Sequence, residues 1–520
     1  MDPIELSIFS SRIEAVCDEM GAVLRRAALS PNIRDRLDFS CAVFDTDGRL
    51  CAQAAHIPVH LGSMAYAMAD LVQGQQWSAG DMVVVNDPYL GGTHLPDVTL
   101  IAPVFAEHAC IGFVANRAHH ADIGASTPGS MPISRTLQEE GMVIAPSYLL
   151  RRGALDERLL GSITGATANP AHAQGDFAAQ ISANRAGVAR LAELAATMGT
   201  ARYSGALDAL NAYGARLAAN ALGDVPAGRY VFRDLMDDDG TGQRDIPIVC
   251  AVEIGEGRAH VDFTGTGDQV AGNINCPLSV AAAGVYYAFR CLMPEQTPAC
   301  AGTFSPLTVH APAGSLLNAR RPAAVAAGNV ETSSRVVDVV LGALAQALPD
   351  RIPAASQGTM NNLAMGARTE DRSWDYYETA GGGMGAGPQR DGLSGVQSHM
   401  TNTRNTPVEV LEMTYPVRVR RYGLRRGSGG RGLHRGGDGL IREFEFLEPA
   451  TVTLLTERRR HRPWGLQGGA AGLAGENRRG SEMLPPKVTL QLAAGERLTL
   501  CTPGGGGWGQ EQNQKGVGDK

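Results

Sequence analysis

Six of the twelve histidines (His56, His60, His94, His108, His119 and His120) fall between residues 56 and 120, one eighth of the chain. Two arrangements inside that window carry chemical potential. The first is Asn86-Asp87-Pro88-Tyr89-Leu90-Gly91-Gly92-Thr93-His94-Leu95-Pro96-Asp97, which follows the apolar run Val83–Val85 and precedes Val98–Ala102. His94 and Asp97 therefore belong to a loop between strands, where an imidazole and a carboxylate three residues apart can converge on one point. The second is Asn116-Arg117-Ala118-His119-His120-Ala121-Asp122, at the end of the run Cys110–Ala115. Imidazoles and carboxylates on loops fixed by strands suit a divalent metal such as Zn2+ or Mn2+. Hydrogen-bonded polar loops fit the same spacing, since adjacent histidines on a strand point to opposite faces and rarely share one ion. Asp38 opens an earlier hairpin and is available to complete a four-ligand set.

The elements that must position these groups begin with a helix over 4–28, where Ile4, Ile8, Ile13, Val16, Met20, Val23 and Leu24 recur at helical spacing. Two short apolar runs, 38–44 and 49–53, flank Asp45-Thr46-Asp47-Gly48, a hairpin signal. Strand-length runs follow at 82–86, 98–105 and 110–116, then Ala-rich helices at about 175–199 and 204–222. A second section pairs strands at 229–235, 246–254 and 259–263 and adds helices at 278–292 and 331–348. From 405 onward the pattern is β-rich, with strands expected at 410–415, 441–446 and 452–456. The expected fold class is mixed α/β (α+β) and multi-domain. It comprises an N-terminal α/β domain over 1–222 that carries the metal site, a central α/β domain over 223–404 and a β-rich, Gly-rich C-terminal domain over 405–520.

Composition removes several functions. Of the 46 basic residues only Lys487, Lys515 and Lys520 are lysines. A Walker A phosphate loop and a protein-kinase core both require a lysine that residues 1–486 do not contain, and a Schiff-base enzyme lacks its amine there too. If ATP takes part, another chain must bind it. Net charge is −7 and no long basic run exists, so neither nucleic acid nor an anionic membrane surface is an expected partner. No apolar run reaches the roughly 18 residues of a membrane span, and nine scattered cysteines without a C-x-x-C pair read as a reduced, cytoplasmic protein.

Several stretches, in order along nearly the whole chain, resemble the hydantoinase B/oxoprolinase family. They include Asp38–Phe44, His60-Leu61-Gly62-Ser63-Met64, Asn86–Asp97, Asn116–Asp122, Gly175–Gln180, Gly272–Asn275, Asn329–Thr332, Gln357–Asn362, Thr401–Pro407, the Gly-rich 422–439 and Thr502–Gly507. The resemblance implies that Asp38, His94, Asp97 and His119 are metal ligands. His120 and Asp122 would then lie beside them, either supporting the ligands or acting as a catalytic proton-transfer pair. It also implies an A-type, ATP-binding partner in a hetero-oligomer, with ATP-Mg held by that partner and a small cyclic amide as substrate. An amide carbonyl is a poor electrophile; phosphorylating its oxygen supplies a leaving group, and a metal lowers the pKa of bound water to about 7. The chain then reads as the metal-bearing B-type subunit of an ATP-dependent cyclic-amide hydrolase, N-methylhydantoinase-like. Its alternatives are a component of an acetone- or acetophenone-type ketone carboxylase and a non-catalytic scaffold for the A-type subunit.

The remaining features read as structure. Tyr422–Gly439 has eight glycines and four arginines, a phosphate-loop composition, yet its β-rich setting predicts tight turns and bulges. Thr379–Gly387 divides evenly between sheet turns and a loop approaching substrate. Cys41 and Cys51 are expected to be buried packing residues. His60 is expected to form a substrate-binding wall of the site, His56 to be structural, and Glu139 and Glu140 to be solvated.

Overall fold

The computed structural model describes residues 1–54, 57–368 and 373–511; His56 lies outside them. The first helix, Pro3–Ala27, starts where Asp2 accepts the Glu5 N–H at 2.8 Å and ends on Arg25 and Arg26, so both charged ends complement the helix dipole. It buries Phe9, Ile13, Met20 and Leu24.

Seven antiparallel strands form the N-terminal sheet: β1 (Phe39–Phe44), β2 (Leu50–Gln53), β3 (Met82–Val85), β4 (Asp97–Ala106), β5 (Ala109–His119), β6 (Ser147–Arg151) and β7 (Ala154–Leu155), in the order β2-β1-β5-β4-β3-β6-β7. Both faces are covered. Phe39, Cys41, Val98, Leu100, Val114 and Ala118 pack towards the Pro3–Ala27 and Pro170–Met198 helices. Ala42, Phe44, Ile101, Phe113 and Ala115 pack into a second core shared with a helix at Pro58–Gln73 and the Leu278–Arg290 and Ser333–Ala347 helices. This two-face alternation decides which side chains reach the site.

The second sheet holds β8 (Gly228–Asp238), β9 (Arg244–Gly255), β10 (Arg258–Asp262) and β11 (Leu307–His310). Downstream strands are β12 (Asn362–Arg368), β13 (Ser373–Glu378), β14 (Val417–Arg425), β15 (Gly439–Phe446), β16 (Ala450–Leu455), β17 (Glu476–Arg479), β18 (Glu482–Leu484), β19 (Lys487–Leu492) and β20 (Arg497–Cys501). They make a sheet ordered β13-β12-β16-β19 and another ordered β14-β15-β20-β17-β18, so the former takes strands from both sides of residue 404. The strand expected at 410–415 is instead a helix, Val408–Thr414. Val-Glu-Val-Leu-Glu alternates, but Pro407 sets the first turn, and Leu411, the buried member, anchors it.

The glycine-rich stretches correct the expectation of turns. Segments 381–387, 428–439, 465–472 and 503–509 run alongside one another with backbone against backbone. Gly505 N–H donates to Gly437 O at 2.9 Å, Gly430 N–H to Gly505 O at 2.8 Å, and Gly507 N–H to Ala470 O at 2.9 Å. A Cβ on Gly383 would overlap Gly437 O and Gly505 N, and one on Gly437 would overlap Leu393 O. Of the glycines in these four segments only Gly468 and Gly509 have a left-handed φ, so close approach, not turn geometry, demands glycine here. Among the described residues no helix is long and apolar enough to cross a membrane, and all nine cysteines are free, with Cys41 and Cys51 buried.

Candidate metal centre

Asp97 and His119 are register partners across β4 and β5, which places both side chains on one sheet face. Arg117, two residues back on that face, donates to Thr99 Oγ1 (2.7 Å), Ser63 Oγ (2.7 Å) and Gly91 O (2.8 Å). It thereby ties β4, the 58–73 helix and the 86–97 loop together. Burial pushes its guanidinium down to about 10, against the pull of Asp97. The loop is shaped by Asn86, whose side chain donates to Leu95 O (2.8 Å) and Met142 O (2.9 Å) and accepts from Ile144 N–H (2.6 Å). Gly91 turns it with a φ of 102°, a conformation that favours glycine.

The Asp97 carboxylate is the hub. Its Oδ1 lies 3.1 Å from His94 Nε2 and 3.1 Å from His119 Nδ1; its Oδ2 lies 3.1 Å from His60 Nε2, 2.5 Å from Thr93 Oγ1 and 3.4 Å from Asn329 Nδ2. Burial opposes ionisation of Asp97, but the charges of His60 and His94 and the bonds from His119 and His60 hold it well below the usual carboxylate range. Burial depresses the His94 imidazole, and the Asp97 charge and hydrogen bond more than offset that, leaving it raised. Burial leaves the His119 imidazole lowered despite its bond to Asp97.

The donor set fits a divalent ion. His94 Nδ1 faces Ala326 O at 3.3 Å and His119 Nδ1 faces Asp97, so each ring has its second nitrogen held by an oxygen, the usual outer-shell arrangement of metal-binding histidine. His119 Nε2 is buried without a hydrogen-bond partner, and His94 Nε2, equally buried, makes no well-aligned hydrogen bond although Asp97 Oδ1 lies 3.1 Å away. One ligand atom each from His94, Asp97 and His119 lies within 4.8 Å of the others. The surrounding cavity is about 20 Å3, lined also by Asp38, His60, Asn329 and Tyr377. It has room for one water-sized group beside the ligand atoms.

Of the residues singled out from sequence, Asp38, His60, His94, Asp97 and His119 come together. Asp38 Oδ1 stands 4.0 Å from His60 Nε2, and its backbone oxygen accepts the His119 N–H at 3.0 Å. His60, expected as a wall, contacts Asp97 directly. His120 and Asp122 do not join the cluster. His120, one residue past its neighbour, takes the opposite face, where Nε2 meets Gln180 Oε1 at 2.9 Å and the ring lies 4.7 Å from Phe177. Asp122 accepts from Gly124 N–H, Ser130 Oγ and Ala168 N–H, each at 2.8 Å, and caps a turn. Glu139 is exposed, but Glu140 is buried, contrary to expectation. It accepts from Ser134 Oγ (2.8 Å) and from the Val325 and Ala326 N–H groups (3.0 and 2.9 Å), which fixes the segment carrying the His94-facing carbonyl. Burial pushes the Glu140 carboxyl up to about 7.

Three further residues contribute; Tyr377 and Arg36 lacked a local sequence signal, while Asn329 belongs to the stretch Asn329–Thr332. Tyr377 stacks on His119 at 4.7 Å and 12°, and its hydroxyl donates to Asn362 Oδ1 at 2.5 Å. Arg36 lies over the Tyr377 ring at 4.9 Å. Asn329 sits in a single π-helical turn, Gly328–Thr332, an irregularity that often marks functional positions.

The hydantoinase B/oxoprolinase family profile matches residues 2–511. 5-Oxoprolinase 1 of Arabidopsis thaliana is 42% identical over 98% of this chain, which spans only 42% of that relative's length. The B component of a D-/L-hydantoinase from a Pseudomonas species is 31% identical, covering 98% of this chain and 90% of its own. Among solved structures, an ATP-dependent caprolactamase from Pseudomonas jessenii superposes with a TM-score of 0.92 at 28% identity, over 98% of this chain and 91% of the other. An acetone carboxylase shares the fold, with a TM-score of 0.87 at 18% identity over 98% of this chain and 76% of the other.

Proposed function

The chain belongs to the hydantoinase B/oxoprolinase family, and from that premise we propose that it is the metal-bearing B-type component of an ATP-dependent cyclic-amide hydrolase. Its substrate class is the hydantoins, N-methylhydantoins, lactams and 5-oxoproline-like rings. An A-type partner binds ATP-Mg and phosphorylates the ring carbonyl oxygen, a division consistent with the lack of a phosphate-loop lysine here. The observation that carries this reading is the convergence of the buried Nε2 atoms of His94 and His119, neither in a well-aligned hydrogen bond, beside the Asp97 carboxylate. His94, Asp97 and His119 hold a Zn2+ or Mn2+ ion, with Asp38 and His60 at its border. The ion supplies Lewis acidity at neutral pH. Asp97 orients three imidazoles at once, Ala326 O fixes the His94 tautomer, and Tyr377 closes the site against bulk water. His60, whose Nε2 lies 3.1 Å from Asp97 Oδ2, holds that carboxylate in place on the side facing Asp38. His120 and Asp122 support the opposite side of β5.

The test combines the purified chain with an A-type partner, ATP and a hydantoin or lactam, with and without bicarbonate. Ring opening that needs ATP, survives removal of bicarbonate and is lost on chelation is the expected result. Turnover that requires bicarbonate would replace this reading with the ketone carboxylase, and activity of the A-type partner alone would leave this chain a scaffold.

A further inference from the structure

A second site lies apart from the metal centre. The 457–462 turn, the ends of β8 and β9, and the 473–477 segment enclose a cavity of about 510 Å3, in the range of small-molecule sites. No residue lining it lines the small cavity around His94. In a chain of net charge −7, five arginines meet here: Arg244, Arg425, Arg459, Arg460 and Arg462.

The state of their charges is informative. Arg425 pairs with Glu476 at 2.5 Å and Arg460 with Asp245 at 2.9 Å. Arg459 finds only neutral acceptors, Asn361 Oδ1 at 2.6 Å, Glu457 O at 2.8 Å and Asn477 Oδ1 at 2.8 Å, and its buried Nε has none. Among the described residues Arg244 and Arg462 have no carboxylate within 4.0 Å. The acidic wall residues are already committed. Asp237 accepts the N–H groups of Arg459, Arg460 and His461 at 2.6, 3.0 and 2.9 Å. Asp238 stands 3.6 Å from Lys487 Nζ, and Glu476 is shared by Arg425 and Arg478. Arg459, bonded only to neutral acceptors though the charges of Glu331, Asp237 and Glu457 act on it, thus faces one cavity together with Arg244 and Arg462, which no carboxylate bridges. Gly475 keeps the wall open, since a Cβ there would come within 2.9 Å of the Arg459 guanidinium.

We propose that this cavity binds a phosphate group. Arg presents planar, multidentate donors that match phosphate oxygens, and an incoming dianion would bridge Arg244, Arg459 and Arg462, which no carboxylate side chain joins. The phosphate is either free inorganic phosphate or the terminal group of a nucleotide. This site stands on its own geometry and does not depend on the metal reading.

Isothermal titration at constant ionic strength tests it, with inorganic phosphate as the probe and ADP as a competitor. Three proteins are compared: the wild-type chain, the exposed-rim double variant Arg244→Ala/Arg462→Ala, and His94→Ala. The expected result is one phosphate per chain, weakened by about tenfold or more in the double variant and unchanged in His94→Ala. Displacement by ADP identifies the nucleotide as the source, and phosphate binding indifferent to ADP identifies the free ion. No saturable binding to the wild type, equal affinity in the double variant, or loss in His94→Ala would each overturn the assignment.

Discussion

Replacing Asp97 by Asn keeps the shape of the side chain and removes its charge. In the folded protein that carboxylate receives His94 and His119 on one oxygen and His60, Thr93 and Asn329 on the other. An amide has a single acceptor oxygen, so donors on the other side meet an NH2 group and stay unsatisfied in a buried site. Breaking a buried charged network by removing one partner costs about 3–5 kcal/mol, and Asp97→Asn should destabilise the metal-free protein by that amount at pH 7. Because folding depresses the Asp97 pKa, its contribution is complete above the unfolded carboxylate value of about 4. It fades as acid protonates Asp97 in the folded state, so the gap between variant and wild type narrows on acidification. Metal affinity should fall by at least about 100-fold, beyond the loss typical of an outer-shell partner. Urea unfolding of chelator-treated proteins and elemental analysis after gel filtration read the two effects separately. A variant with wild-type metal content refutes Asp97 as a ligand, and one more stable than wild type without metal refutes its role as counter-ion to the histidines.

Further consequences are equally direct. Folded Glu140 holds its proton up to about pH 7, so wild-type stability falls as pH rises from about 4.5 to 7, on the order of 3 kcal/mol for this group. Glu140→Gln, which keeps an acceptor for Val325 and Ala326, should flatten that slope in urea titrations at pH 5 and pH 8. Gly437→Ala should lower stability by about 3 kcal/mol or more through overpacking, read by thermal unfolding, whereas Gly427→Ala, where a Cβ meets open space, should cost about 1 kcal/mol from its left-handed backbone. His120→Ala should leave metal content unchanged and cost about 1–2 kcal/mol for the lost Gln180 bond, as elemental analysis and urea unfolding will show.

Much of the N-terminal half is legible in the sequence because its signals are local. The apolar runs 98–105 and 110–116 place β4 and β5, and the two-residue period then puts Asp97 and His119 on one face and His120 on the other. Grouping His120 with the metal ligands conflicts with that parity. The 58–73 helix carries its period in Met64, Met68, Leu71 and Val72, but His60, Gly62 and Ser63 interrupt the apolar stripe in its first turns. Tyr377 had no such signal, and Asn329 had only that of its own stretch: their separation from His119 exceeds any local period, and only tertiary packing delivers them to the site. At 408–414 alternation favoured a strand and lost to Pro407 and one buried leucine.

The glycine segments also impose an order on folding in the cell. Segment 504–507 contacts all three other glycine stretches and is synthesised last among them. About 120 residues separate it from 381–387, so a ribosome adding roughly 5–20 residues per second leaves the earlier stretches incomplete for on the order of ten seconds. During that interval the earlier stretches can pair only with one another, as Gly437 N–H does with Met384 O and Ala470 N–H with Arg431 O, and the groups that 504–507 will meet have no partner. The glycine core of the C-terminal half is therefore complete only once 504–507 has emerged. It closes in one late event, around a strand of backbone that arrives after everything it holds together.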